Sequence, residues 1–491
     1  MKDKIIRNYK QSKIILLVIL LLGIILRLFF QIGHVYSDDA YYSYLSYTIY
    51  SGDFANNYLG YPVFLLRLGQ TGLTTFAFLI FGTTETATII FPFLFSVINI
   101  FLTFKLTSLL TGKENISLMA AFLICIFPTD IVFATINFPD AINMFFINLG
   151  IYFLLKSYKE NKLWLSLVGG LSIFLSMQFK ENAYYFGILI LILFVHSIIK
   201  AKRINIQLLI PLAFLGLNIL VEGFVYLLIH QDFLFRISIT SSNYKYSYYD
   251  FFPYTAQQLS GSKYYLRNLF DQIFFINLRS VFLRRFYLLL PIAGFIQSII
   301  NFKKKEYALL TFWFIGLFIL LVAFTTSFSE YKPLDLQRSW YIYPLIMPMI
   351  ILSSILLSKF KRIYLTAFII VLCTSSIIMS RAYEVYFQKS NLQKLNTLLR
   401  ANPGKLIATD HFTKYSVDLI RNYSDKSLSI RFEDVGKFQV GSWILFNQKH
   451  IDELKLQGCS FQEFNFKNKK YKLVNSIGDF DIYEIKANTG D

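Results

Sequence analysis

Cysteine and histidine are scarce in this chain, and the sites they would build are missing with them. Three cysteines and five histidines occur in 491 residues. Cys125 and Cys373 lie in apolar runs, and Cys459 stands alone in the polar carboxy-terminal segment, so that segment forms no internal disulfide in any redox compartment. No cysteine cluster has metal-ligand spacing, and the histidines form no pattern such as His-x-x-x-His. No Gly-rich phosphate loop, dinucleotide fingerprint or Ser-His-Asp signature appears, which favours a membrane-borne substrate over a nucleotide-activated one. Charged residues are sparse, at 16%, and acid is the scarcer sign: 30 Asp and Glu against 48 Lys and Arg, a net charge of +18.

Apolar side chains fill the gap. The chain is 55% hydrophobic and 18% aromatic, with a mean hydropathy of +0.49. A soluble fold of this size could not bury so much apolar surface, and the many runs of about 20 residues match the thickness of a bilayer. The runs are continuous rather than alternating, which excludes a β-barrel. The fold class is an α-helical polytopic membrane protein. In a soluble protein the charge would suggest nucleic acid. Here the basic residues sit largely in short loops, where they set topology and meet lipid headgroups, so the partner they imply is the bilayer and not nucleic acid. Met1 to Lys13 is basic, like the start of a signal peptide. No small-residue cleavage site follows, so the first apolar run reads as a retained helix.

About eleven spans are expected, roughly at 14–32, 87–110, 116–136, 141–157, 163–179, 183–199, 206–229, 286–301, 306–326, 340–358 and 363–380. Lys113, the Lys156–Lys162 group, the Lys200–Arg203 group, Lys303 to Lys305 and the Lys359–Arg362 group then share one side with the basic amino terminus, which makes that side cytoplasmic. This holds if 62–82, which Arg67, Gln70 and several Gly and Thr interrupt, lies along the outer interface as a juxtamembrane helix. A first outer loop at 33–86 and a long, Tyr-rich outer loop at 230–285 follow from this topology. The division is a transmembrane domain over 1–380 and a small extracytoplasmic α/β domain over 381–491. The latter has strand-like runs at 405–409, 442–446 and 480–485 and a helix near 411–422. The protein is expected in the cytoplasmic (inner or plasma) membrane.

The candidate chemistry falls on the outer side. Asp38-Asp39 follows the first span. A carboxylate there can take a proton from an attacking hydroxyl, and an adjacent pair can hold a divalent cation, with Asp140 as a further ligand. The competing reading is a helix start capped by Ser37 or Asp38. Asp140 after Pro139 carries the same ambiguity, and Asp130 is a costly charge inside a run that faces either the cavity or a neighbouring helix. Lys180-Glu181 between two spans is either an interfacial ion pair or a phosphate-binding cation. Arg338 before Trp340 and Tyr341 is an aromatic-belt anchor or a bidentate phosphate ligand. Arg27 is expected to snorkel outward from the first span, with the site within its reach.

In order, these features resemble the polytopic C-type glycosyltransferases, above all the superfamily of protein O-mannosyltransferases and aminoarabinose–lipid A transferases. The residues that carry the resemblance are Arg27-Leu28, Ser37-Asp38-Asp39 with Tyr42, Ser51-Gly52-Asp53, Tyr61-Pro62, Phe81-Gly82, Pro128, Phe138-Pro139-Asp140, Lys180-Glu181, and Arg338 to Tyr341 with Pro344 and Pro348. This chain has Asp-Asp where the family usually has Asp-Glu, and Tyr61-Pro62-Val63 where many members have Pro-Pro. The resemblance implies an inverting transfer of one sugar from a polyprenyl phosphate to a hydroxyl of a glycolipid, glycan or protein. Asp38 would act as general base, assisted by Asp39. Lys180 and Arg338 would neutralise the departing phosphate, with Asp140, Glu181, Tyr42 and Arg27 also lining the substrate site. A transporter or flippase for lipid-linked sugars, and a glycan polymerase or ligase, are the alternative classes. A transporter's charges should lie near mid-membrane.

Overall fold

The structure is a computed structural model that describes residues 2–53, 62–202, 204–240, 289–300, 305–323, 343–424, 429–431, 440–448 and 471–486. Each expected span coincides with a helix. They are α1 (Lys2–Phe29), α4 (Glu85–Thr111), α7 (Asp140–Glu160), α8 (Leu163–Met177), α9 (Ala183–Ala201), α10 (Ile206–His230), α11 (Leu289–Ile300), α12 (Lys305–Ala323), α13 (Tyr343–Leu357) and α14 (Arg362–Tyr386), with the span at 116–136 split in two. Among the described residues six helices, within α1, α4, α7, α9, α10 and α14, are long and apolar enough to cross a membrane. Together with the fold comparison below, this makes the chain an integral membrane protein.

The split has a local cause. Pro128 has no N–H to give and crowds the preceding turn. The 116–136 run is therefore α5 (Glu114–Cys125), a break at Ile126–Phe127, and the six-residue α6 (Pro128–Phe133). Two shorter helices precede α4: α2 (Asp38–Tyr50) and α3 (Leu68–Phe81). The Gly69 amide donates to the Gln178 carbonyl at 2.8 Å, and just beyond the other end of α3 the Thr83 hydroxyl donates to the Asn422 carbonyl at 3.0 Å. Both ends of α3 thus meet segments from one end of the bundle, so it runs along that end, as expected for 62–82. Gly69 is required at this approach, because a Cβ would come within 2.9 Å of the Gln178 carbonyl oxygen.

Contacts between loops sort the chain into two ends. Residues 32–39, 67–70, 85, 135–140 and 178–182 bond to one another and to the carboxy-terminal domain. At the opposite end Ser12 donates to Glu114 at 2.7 Å and Gln207 to the Ser157 carbonyl at 3.1 Å.

Helix α14 continues through residue 381 to Tyr386 and then turns into α15 (Lys389–Ala401) and α16 (His411–Ile420). The strands β1 (Ile407–Thr409), β2 (Ser429–Arg431), β3 (Trp443–Asn447), β4 (Tyr471–Ile477) and β5 (Phe480–Ile485) form one sheet in the order β2-β1-β3-β5-β4. β1 pairs in parallel with β2 and β3, and the β4–β5 hairpin adds antiparallel to β3. Leu392, Leu395 and Leu399 lie on one face of α15 and pack with Val417, Leu445 and Ile482.

Arg27 does not snorkel. Its side chain is 0% exposed and forms an ion pair with Asp130, which is equally buried. Nε donates to the Ser96 hydroxyl at 2.7 Å, and Nη1 donates to the carbonyls of Gly23 and Cys125, the latter freed by the break before Pro128. Asp130 also accepts from Ser96 at 2.6 Å and from the Tyr343 hydroxyl at 2.8 Å. Asp130 therefore faces neighbouring helices and ties α1, α4, α6 and α13 together. Removing one partner leaves a buried charge uncompensated. Asp130→Ala should lower stability by about 3–5 kcal/mol, read as a fall in the unfolding midpoint in detergent. The double variant Arg27→Met, Asp130→Leu should recover most of the loss.

Candidate functional site

The segment from Ile32 to Asp39 is held by its own amides. Ile32 and Gly33 donate to the hydroxyl and carbonyl of Thr135, and His34 donates to Glu85 at 3.0 Å. Val35 and Ser37 donate to the two oxygens of Asp39, at 2.7 and 2.8 Å. The Asp39 carboxylate is 0% exposed and also lies 2.7 Å from Nδ1 of His34. Burial would raise its pKa, but the electrostatic pull of His34 and the two amides hold it below the ordinary carboxylate value. Ser37 makes no side-chain cap to α2, so the expected serine cap is absent. Asp39, at the second helical position, bonds back to the preceding loop instead. Asp38, the first helical residue, is left exposed. A rigid helix start thus presents one carboxylate and buries the next.

Tyr36 completes the loop. Its φ is +58°, a left-handed conformation that a bulky side chain adopts only when its surroundings impose it. The ring is buried in the core of the carboxy-terminal domain, 5.3 Å from the Phe480 ring, and its hydroxyl donates to Asn396 at 2.8 Å. Further along α2, Tyr44 stacks on Tyr415 and Tyr47 on Tyr423, each at 3.9 Å. These tyrosines recur at three-residue spacing, so one face of α2 lies under the carboxy-terminal domain.

A charge network lies at the same end. Arg67 forms a bidentate pair with Glu181, at 3.3 and 3.1 Å, and donates to the Tyr42 hydroxyl. Arg236 forms a bidentate pair with Glu222, at 2.7 and 2.8 Å, and donates to the Leu66 carbonyl. Its Nη1 is buried 3.8 Å from Glu181 and has no hydrogen bond among the described residues. Lys180 pairs with Asp140 at 2.5 Å, and both are nearly buried. Burial raises the Tyr42 phenol, Arg67 opposes this, and Asp38 adds to it, so Asp38 acts electrostatically on the network. Burial also raises the Glu181 carboxyl, but Arg67 and Arg236 outweigh it and hold the group low.

The expected residues are thus only partly gathered. Tyr42 and Glu181 meet through Arg67. Asp140 meets Lys180. Asp38 and Asp39 share a helix start but face different surroundings. Arg27 sits apart with Asp130, and Arg338 lies outside the described residues. Arg67, Arg236, Glu222 and His34 were not singled out from the sequence. Glu222, a carboxylate inside an apolar run, is the one that carried a signal.

Among the described residues no three His, Cys, Asp or Glu side chains come together in a way that could hold a metal ion. The expected ligand set of Asp38, Asp39 and Asp140 is not assembled. Asp39 spends its oxygens on two amides and His34, and Asp140 holds Lys180.

Residues 72–231 match the family model for dolichyl-phosphate-mannose-protein mannosyltransferase. Among solved structures, the chain is similar to ArnT from Cupriavidus metallidurans bound to undecaprenyl phosphate, with a TM-score of 0.60 and 11% identity over 98% of this chain and 99% of that one. It is also similar to the oligosaccharyltransferase of Archaeoglobus fulgidus in complex with Zn and sulfate. The TM-score is 0.55, with 15% identity over 89% of this chain and 68% of that one. The same archaeal enzyme, AglB, in complex with an inhibitory peptide and a dolichol-phosphate, gives 0.52 at 14% identity over 90% and 70%. No curated protein matches in sequence. At these identities the structural likeness is one of fold. With the family match, it bears out the resemblance to the polytopic C-type glycosyltransferases.

Two outcomes follow from the geometry. Tyr36→Phe removes the bond to Asn396 and should cost about 0.5–1.5 kcal/mol, read by thermal unfolding. The depressed carboxyls of Asp39 and Glu181 contribute stability that is complete above the ordinary carboxylate pKa, about 4. It is lost as pH falls through their lower folded values. Glu181→Gln should therefore be less stable than wild type at pH 7, with the difference shrinking below about pH 4. A pH series of unfolding midpoints checks this, and parallel curves for the two proteins would contradict it.

Proposed function

We propose that this protein is an inverting membrane glycosyltransferase that moves one sugar from a polyprenyl-phosphate donor to a hydroxyl acceptor. The observation that carries the reading is the exposed Asp38 carboxylate on a helix start fixed by Asp39, at the same end as the Arg67–Glu181–Arg236 network. The family match supports it. So do structures of this fold, one bound to undecaprenyl phosphate and another in complex with an inhibitory peptide and a dolichol-phosphate.

In this reading Asp38 takes the proton of the acceptor hydroxyl. The hydroxyl oxygen bonds to the anomeric carbon as the bond from that carbon to the phosphate oxygen breaks on the opposite face, which inverts the centre. The polyprenyl phosphate leaves with the electron pair. Lys180 and Arg338 stabilise that charge, and the unbonded Nη1 of Arg236 adds a preorganised donor. Asp140 orients Lys180. Tyr42 and Glu181 orient Arg67. Arg27 supports the bundle and takes no part in the transfer.

The transmembrane unit over 1–380 would carry the chemistry, and the domain over 381–491 would cover the site and meet the glycolipid, glycan or protein acceptor. The lysine-rich loops of the opposite end support a cytoplasmic membrane location with the site and the carboxy-terminal domain outside. A transporter's charges should lie near mid-membrane. Asp38 and the Arg67–Glu181–Arg236 network lie at one end of the bundle, which favours the enzyme.

Asp38→Asn should reduce sugar transfer from a polyprenyl-phosphate donor pool by about 10²–10⁴-fold. Expression and the unfolding midpoint should stay near wild type, because the side chain is exposed and Asn suits a helix start. Transfer equal to wild type at matched expression would remove Asp38 from the mechanism.

A further inference from the structure

At the end of the bundle opposite Asp38, a cavity of about 350 Å³ opens between α1, α4, α5 and α7. Lys13, Lys105 and Lys159 reach it from three different helices, with Ser108 beside them and Leu16, Phe101 and Phe104 forming an apolar wall. Among the described residues Glu114 is its one carboxylate, and that group already accepts from Ser12 at 2.7 Å.

Lys105 is the informative residue. It lies six positions before the end of α4 at Thr111, about 9 Å inside the helix at 1.5 Å per residue. A lysine at that depth is costly unless it meets an anion or reaches the interface. Among the described residues Lys105 makes no ion pair, and its ammonium lies over the Phe101 ring at 5.3 Å. Lys159 likewise makes no ion pair among the described residues, although its neighbours Lys156 and Lys162 both pair with Glu160. The built-in cations of the cavity therefore exceed its anions.

The apolar side of the cavity continues along the membrane. Leu94, Ile98, Phe101 and Lys105 fall at i, i+4, i+7 and i+11 of α4, a single helix face, and the three apolar members are all exposed. That stripe ends at the ammonium. A soluble anion would use the lysines and leave the stripe idle, whereas a phospholipid uses both.

We propose that this cavity binds the phosphate headgroup of an anionic phospholipid from the leaflet at the Lys13 end, with an acyl chain lying along the Leu94–Ile98–Phe101 stripe. Three helices of the bundle, α1, α4 and α7, are joined through that headgroup. The inference does not depend on the transferase reading.

The test uses the purified full chain in uncharged detergent, titrated with phosphatidylglycerol or phosphatidylcholine, with bound lipid counted by native mass spectrometry. Wild type should retain phosphatidylglycerol preferentially. The double variant Lys105→Gln, Lys159→Gln should bind it about 25-fold more weakly, at roughly fivefold per lysine, with phosphatidylcholine unaffected. Both side chains are exposed, so the fold is not at risk. The variant Lys162→Gln, Lys200→Gln, which removes two lysines outside the cavity, should bind like wild type. Equal phosphatidylglycerol affinity in the cavity variant and wild type would overturn the site. Equal weakening in both variants would reduce it to a diffuse basic surface. Competition by inorganic phosphate at the same free concentration would show that the anion, and not the lipid, is bound.

Discussion

Asp39 accepts the amides of Val35 and Ser37 while its carboxylate also faces His34, and the rest of the candidate site depends on this arrangement. The loop between α1 and α2 is too short to form a sheet or a helix of its own, so its amides need other acceptors. Thr135, Glu85 and Asp39 supply them. Once those bonds are made, the start of α2 is fixed, Asp38 stands on the open side, and Tyr42 lies one turn on, against Arg67. The acidic pair therefore divides its labour: one member builds the loop and the other faces outward.

Electrostatics at this end are arranged as matched pairs rather than as a bare positive pocket. Arg67 meets Glu181, Arg236 meets Glu222, and Lys180 meets Asp140. Bidentate geometry keeps the guanidinium planes fixed, so a phosphate arriving near them meets donors that need no rearrangement. The carboxylates also limit how tightly any anion is held.

The helical framework was legible because continuous apolar runs leave little choice of structure in a bilayer. The sheet domain was legible from alternating strands such as Phe480–Ile485 and from the helix now seen at His411–Ile420. The break at Ile126–Phe127 was not foreseen, although Pro128 marks it, because the run stays apolar across it. Arg27 was read as an interfacial side chain since its partner is 103 positions away, a distance no local pattern reports. Arg67 escapes for the same reason: its partner Glu181 is 114 positions away, and only the packing of α3 against the α8–α9 turn brings it near. Arg236 instead folds back 14 positions onto Glu222, across the turn that ends α10. Sequence finds residues that are unusual where they stand, but not the partners that make them ordinary.

Tyr36 belongs to the first loop of the chain, yet its ring is a core residue of a domain whose contacting Asn396 lies 360 positions later. During synthesis that loop is laid down long before the domain that seats it. Until α15 and β5 have folded, Tyr36 lacks both its ring partner and its hydroxyl partner, and the helix start that carries Asp38 lacks its outer support. A half-made copy of this protein would therefore hold that helix start by its amide bonds to the bundle alone. The last strand to be made thus completes the support of the acidic helix start near the beginning of the chain.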